Sequence, residues 1–306
     1  ITQKKQKMKK LTYILLSGLL VVLYSSSIMA QGDIISAADF MKMFKTNKNI
    51  IIVDASKADS YKKTHVKGAV NIPHKTLYKD TEIEGLIHDP AILASIFGSK
   101  GVSETKTIVV YDGGSQKYSS RVYWILKYLG APDVKILQKD MAQWRKSRVP
   151  ITKMPSKVAK ATFTPKVNSS IYADIADVKS GKAVIVDART TEEFDGTSDK
   201  SAGHIPGAIN IGYKEVLNAT EGFKNKAEME AFVAKYKLSA DKPILVYCNT
   251  GVIAAVIYVG LTDVMGWTNV KIYDGAYKEW GGKGNQFENK AGVLTTKKVG
   301  GSGGGC

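Results

Sequence analysis

Pro243-Ile244-Leu245-Val246-Tyr247 runs directly into Cys248-Asn249-Thr250-Gly251-Val252-Ile253-Ala254-Ala255. A short unbroken apolar run, a polar turn with one glycine and an apolar stretch continuing to Thr262 read as strand, tight loop and helix. A strand without polar alternation is buried on both faces, as in a parallel sheet covered by helices. The phrase occurs once more: Thr107-Ile108-Val109-Val110-Tyr111-Asp112 precedes a helical pattern over Ser120–Tyr128.

The repetition extends outward from these two runs. Ile50-Ile51-Ile52-Val53-Asp54-Ala55 matches Ala183-Val184-Ile185-Val186-Asp187-Ala188. His65-Val66-Lys67-Gly68-Ala69-Val70-Asn71-Ile72 matches His204-Ile205-Pro206-Gly207-Ala208-Ile209-Asn210-Ile211. Val134-Lys135-Ile136 and Trp144 recur 136 residues later as Val270-Lys271-Ile272 and Trp280. An offset this long marks a duplicated domain, not a solenoid repeat. Further helical patterns over Ala37–Phe44 and Lys226–Tyr236 give strand–helix alternation, hence an α/β fold. The expected bounds are domain 1 at 31–150, a linker at 151–168 containing Pro155 and Pro165, and domain 2 at 169–292. A flexible Gly-rich tail, 293–306, ends in Cys306.

The chain has 306 residues and a net charge of +16, from 44 Lys+Arg and 28 Asp+Glu. Two cysteines exclude a disulfide scaffold and a four-cysteine zinc site, and four histidines leave little for a metal centre. Residues 8–30 read as a signal peptide: Met8, two lysines, an apolar run from Leu11 to Tyr24 and a polar stretch ending at Ala30. The run is too short for a comfortable membrane span of about 20 residues. Residues 1–7 precede that Met, so 1–30 is read as leader and signal. Its removal takes away five lysines and no acid, and lowers the net charge to +11. The expected location is periplasmic or secreted, without stable membrane insertion after cleavage. The remaining lysines are scattered and accompanied by four arginines only, so no nucleic-acid partner is expected.

Cys248 ends a buried strand at the mouth of a helix. Ligand sites in parallel α/β sheets lie at the carboxyl ends of strands. Loop N–H groups and the helix terminus stabilise a thiolate there. A loop containing Gly251 turns successive N–H groups inward as an anion nest. An inert buried cysteine is the competing reading.

Taken together, Asp187-Ala188-Arg189, Gly203-His204-Ile205-Pro206-Gly207-Ala208, Cys248-Asn249-Thr250-Gly251-Val252 and Tyr273-Asp274-Gly275 leading to Trp280 resemble the tandem-domain rhodaneses. That family includes thiosulfate and 3-mercaptopyruvate sulfurtransferases, and the resemblance covers about residues 34–292. It implies two tandem rhodanese-like domains, each a mostly parallel sheet flanked by helices. Domain 2 would be catalytic, and domain 1 inactive because Asp112 stands at the cysteine position. Cys248 would carry the sulfur as a persulfide, held by the loop Asn249, Thr250, Gly251, Val252, Ile253 and Ala254. The partners implied are a small anionic sulfur donor and a thiol or cyanide acceptor. Neither a metal nor an organic cofactor is required.

Several positions depart from the family pattern. Asn249 and Ile253 differ from the usual loop residues, and Glu193 stands where a second arginine is common. Arg189 is a candidate substrate-binding residue, with a structural salt bridge as the alternative. His65 is a second candidate, in a relay with Thr250 and Asp59, whereas His204 reads as structural. A non-catalytic sulfane-sulfur carrier is the alternative function. A phosphatase is not expected, because Ala254 occupies the place of the phosphate-gripping arginine in a Cys-x5-Arg loop.

Overall fold

The computed structural model describes residues 32–296. The expected signal peptide and Cys306 lie outside the described residues. The strands, in chain order, are β1 (Ile34–Ile35), β2 (Ile50–Asp54), β3 (His65–Val66), β4 (Val70–Asn71), β5 (Thr107–Tyr111), β6 (Val134–Leu137) and β7 (Ile151–Thr152). They continue with β8 (Tyr172–Ala173), β9 (Val184–Asp187), β10 (Ile209–Asn210), β11 (Ile244–Tyr247), β12 (Val270–Tyr273), β13 (Phe287–Glu288) and β14 (Leu294–Thr295).

Two five-stranded sheets result, with the orders β1-β6-β5-β2-β4 and β8-β12-β11-β9-β10, and every pairing within them is parallel. The second order is the first translated strand for strand, so the duplication read in the sequence is a duplication of topology. The central pairs end at equivalent places. β2 and β5 pair from Ile50↔Thr107 to Asp54↔Tyr111, and β9 and β11 from Val184↔Ile244 to Asp187↔Tyr247. Helices cover both faces, which is why Ile51–Val53 and Leu245–Val246 are buried without alternation.

Local signals start the helices. The Ser36 hydroxyl accepts the Asp39 N–H at the head of Ala37–Thr46, and Asn225 and Glu228 form a capping box for Lys226–Lys235. The helix expected to begin at Val252 starts at Ala254 instead, because Val252 and Ile253 still belong to the turn. It ends in a π turn at Gly260–Val264.

The helices after the two equivalent strands, Lys117–Tyr128 and Ala254–Val259, pack against each other and join both domains in one apolar core. Each domain keeps a second cluster on the outer face of its sheet, around Phe40 and Trp144 in domain 1 and around Tyr247 and Phe287 in domain 2.

The two segments expected to lie outside the domains make contacts with them. The linker is strapped onto domain 1: β7 pairs with β3, Phe163 packs on Phe97, and Lys166 N–H donates to the Leu129 carbonyl. Gly130 permits this approach, since a β-carbon there would collide with the Lys166 carbonyl. Within the tail expected from residue 293, Leu294–Thr295 pair with Phe287–Glu288.

Candidate active site

Cys248 lies one residue beyond β11 and is fully buried. The loop after it is held from behind. Tyr277 N–H donates to the Cys248 carbonyl at 2.9 Å, and Lys278 N–H to the Asn249 carbonyl at 3.4 Å. Asn249 Nδ2 donates to Glu193 Oε1 at 2.8 Å, while Glu193 Oε2 completes a capping box with Thr190. The residue that stands where a second arginine was sought therefore positions the loop. Among the described residues, the peptide N–H groups from Asn249 to Ala254 donate to no backbone carbonyl.

At the equivalent strand end, domain 1 has a loop closed around an anion. The Asp112 carboxylate accepts N–H groups from Gly114 at 2.7 Å, Gln116 at 3.3 Å, Tyr118 at 3.0 Å and Ser119 at 3.3 Å, and the Ser115 hydroxyl at 3.3 Å. Successive amides converging on one negative group form an anion nest. The first repeat fills its nest with its own side chain, and the second has a cysteine at that position.

Domain 1 also contributes a charge to the loop of domain 2. Arg121, from the Lys117–Tyr128 helix, is fully buried, and its Nη2 donates to Asp274 Oδ1 at 2.5 Å and to the Gly85 carbonyl at 3.0 Å. Asp274 Oδ2 accepts the Ile87 N–H at 3.0 Å. Burial works against the charge on Arg121, but the Asp274 carboxylate more than restores it, so the guanidinium stays charged. Among the described residues, its buried Nε and Nη1 have no hydrogen-bond partner. Nη1 faces the loop: a β-carbon on Gly251 would stand 2.8 Å from it. Gly251 is thus required twice, for its φ of +76° and for this close approach.

The guanidinium lies 5.5 Å over the Tyr78 ring and 4.8 Å over that of Trp124. Burial raises the Tyr78 hydroxyl above its usual pKa. Tyr78 is hydrogen-bonded to His74 Nδ1 at 2.8 Å, and His74 stacks on Tyr118. Burial, then the Arg121 charge, pushes the His74 pKa down to about 4, so the imidazole is neutral near pH 7. Gly85 rests on Thr250, where a β-carbon would be 2.6 Å from Thr250 Cβ, and Lys278 ties this segment down through Glu84 at 2.5 Å.

The two substrate-binding candidates are held elsewhere. Arg189 is buried with every guanidinium nitrogen engaged: Nε and Nη2 on Asp187, Nη1 on the Ser201 hydroxyl at 3.1 Å, and Nη2 also on the Gly203 carbonyl at 2.8 Å. It stacks 4.1 Å over Tyr277. The structural salt bridge is the reading this geometry carries. His65 has both ring nitrogens against carbonyls, Nδ1 at 2.7 Å from Tyr61 and Nε2 at 3.0 Å from Met154, while Asp59 is exposed and pairs with Lys62. The described contacts of Thr250 are with Gly85, not with His65. His204 bonds the Phe194 carbonyl and stacks on its ring. Arg121, Tyr78 and His74 were absent from the sequence-derived site. The available signal was an arginine directly before the apolar run Val122–Leu126.

Residues 36–147 and 174–283 each match the rhodanese-like domain family. The chain belongs to the rhodanese family. It is 30% identical over 240 residues to the 3-mercaptopyruvate sulfurtransferase of Escherichia coli strain K12, covering 75% of this chain and 85% of that one. A putative thiosulfate sulfurtransferase of Synechococcus elongatus is 32% identical over 251 residues, covering 76% and 78% of the two chains. The crystal structure of SseA from Escherichia coli superposes with a TM-score of 0.72 at 28% identity, over 80% of this chain and 99% of that one. The two sheets described above are accordingly two tandem rhodanese domains, and this rhodanese is a sulfurtransferase. Among the described residues no cluster of His, Cys, Asp or Glu is arranged to hold a metal ion.

Proposed function

We propose that Cys248 is the sulfur-carrying nucleophile and that thiosulfate or 3-mercaptopyruvate is the donor. The thiolate attacks the outer sulfur. With thiosulfate the S–S bond breaks, sulfite leaves with its electron pair, and Cys248 keeps a persulfide. With 3-mercaptopyruvate the C–S bond breaks and pyruvate leaves after its enolate takes a proton. A thiol or cyanide then removes the sulfane sulfur and returns the thiolate, a ping-pong cycle.

The observation that carries this reading is the pair of equivalent loops. In domain 1 four N–H groups close on the Asp112 carboxylate. The loop at the equivalent strand end, around Cys248, would receive an anionic persulfide. The N–H groups from Asn249 to Ala254 supply directed hydrogen bonds, and Arg121 supplies a fixed positive charge behind Gly251. Both favour thiolate over thiol. Asp112 cannot carry sulfane sulfur, so domain 1 forms a wall of the site and takes no part in the transfer.

Residues 8–30 support export, placing the mature protein in the periplasm or outside the cell. Steady-state kinetics test the chemical reading. Parallel double-reciprocal lines for donor and cyanide, abolished in Cys248→Ser, are expected. Intersecting lines, or activity retained in Cys248→Ser, would overturn it.

A further inference from the structure

Domain 1 contains a cavity of about 320 Å3 at the carboxyl ends of its strands, lined among others by Asp54, Ser56, Lys63, Thr64 and Lys139. The duplication explains why it is there. The Asp54–Tyr111 pair ends β2 and β5 as Asp187–Tyr247 ends β9 and β11. The Ser56 N–H donates to Asp54 Oδ1 at 2.8 Å, and the Arg189 N–H to Asp187 Oδ1 at 3.0 Å. The Tyr247 hydroxyl donates to Asp187 Oδ2 at 2.6 Å, and Tyr111, paired with Asp54 in the sheet, lines the cavity beside it. The Val66 and Ile205 N–H groups donate to the two tyrosine hydroxyls, at 2.9 Å and 3.0 Å.

One component differs. In domain 2 the Arg189 guanidinium fills the space in front of Asp187 and stacks on Tyr277. In domain 1 these two places are held by Ser56 and Met141, and the space is open. Asp54 is 2% exposed, and among the described residues no lysine or arginine forms an ion pair with it. A buried carboxylate stabilised by neutral donors alone faces a hole where its twin has a guanidinium. Lys63 and Lys139 also line this cavity. Lys63 is exposed, and Lys139 is half-buried with its Nζ 5.8 Å over the ring of Trp144, another lining residue.

We propose that this cavity binds a small guanidino amino acid, of which free arginine is the simplest. Its guanidinium takes the place that Arg189 occupies in domain 2, bidentate on Asp54. Its carboxylate meets Lys63 and Lys139 at the mouth. The volume suits a ligand of that size. The site is separate from Cys248 and independent of the identity of the sulfur donor.

Calorimetric titration of the full chain with L-arginine, agmatine and L-citrulline tests the assignment. Saturable binding of arginine is expected, at least tenfold weaker for agmatine, which lacks the carboxylate, and for citrulline, whose urea carries no charge. Ser56→Arg supplies the missing guanidinium from the chain and is expected to abolish binding. Asp54→Asn, which keeps the hydrogen-bond acceptor but not the charge, is expected to weaken it at least tenfold, and it decides the matter if Ser56→Arg does not fold. No saturation by 10 mM arginine (roughly −2.7 kcal/mol at that dissociation constant), citrulline binding as tightly as arginine, or binding unchanged in either folded variant would overturn the proposal.

Discussion

At the scale of single residues, the site is a matter of compensated charge. Arg121 and Asp274 are both fully buried and hold each other across the domain boundary. Removing one partner of such a pair strands the other and typically costs about 3–5 kcal/mol. Arg121→Met is therefore expected to lower the thermal midpoint and reduce kcat together, read by calorimetry and by cyanide-dependent turnover. His74 gives a pH signature. Its pKa is about 4 in the folded chain against 6.5 in the unfolded one, so the unfolded chain binds the proton first. Stability is full above pH 6.5 and falls as the pH drops toward 4, by an amount on the order of 3 kcal/mol from this residue. Denaturation of His74→Phe should show a shallower loss over that window, and an unchanged pH profile would refute the assignment. Asp112→Asn weakens five charge-assisted bonds and is expected to cost about 1–3 kcal/mol without loss of sulfur transfer.

Cys248 was legible in the sequence because strand, turn and helix are local signals written in consecutive residues. Arg121 was not, because its meaning depends on Asp274, 153 residues away. The roles of Arg189 and Glu193 depended in the same way on which carboxylate or amide stands opposite, which spacing does not encode.

At the scale of elements, the loop after Cys248 is covered by the segment Glu84–Ile87 of domain 1. Its links include Lys278 to Glu84, Ile87 N–H to Asp274, Arg121 Nη2 to the Gly85 carbonyl, and the contact of Gly85 with Thr250. Lys278→Met removes the most exposed of these. Iodoacetamide should then alkylate Cys248 several-fold faster at unchanged global stability; an unaltered rate would show that the segment does not control access. The strand–helix alternation and its duplication followed from periodicity and repetition, since buried parallel strands announce themselves as apolar runs; the strand order did not. The strapping of the linker did not, because Phe163 and Lys166 act through tertiary contacts with Phe97 and Leu129.

At the scale of the whole molecule, one apolar core is shared by the two domains, with Val122 and Ile125 from the first and Ile253, Val256 and Ile257 from the second. A buried ion pair and several backbone bonds cross with it. Two domains joined in this way should unfold in one transition, with calorimetric and van't Hoff enthalpies equal. Two separated transitions would contradict a shared core. The net charge of +16, the most prominent number of the composition, places nothing at the site; the one guanidinium beside the loop is buried and comes from the other domain.

The central claim is that the second repeat holds on Cys248 a sulfur anion where the first holds Asp112. Intact-mass spectrometry of the full chain after separate exposure to thiosulfate and to 3-mercaptopyruvate addresses it directly. The account predicts a gain of one sulfur atom with at least one donor, localised to Cys248, reversed by cyanide and absent in Cys248→Ser. A chain that turns over donor without ever gaining that mass, or gains it equally in Cys248→Ser, would contradict it.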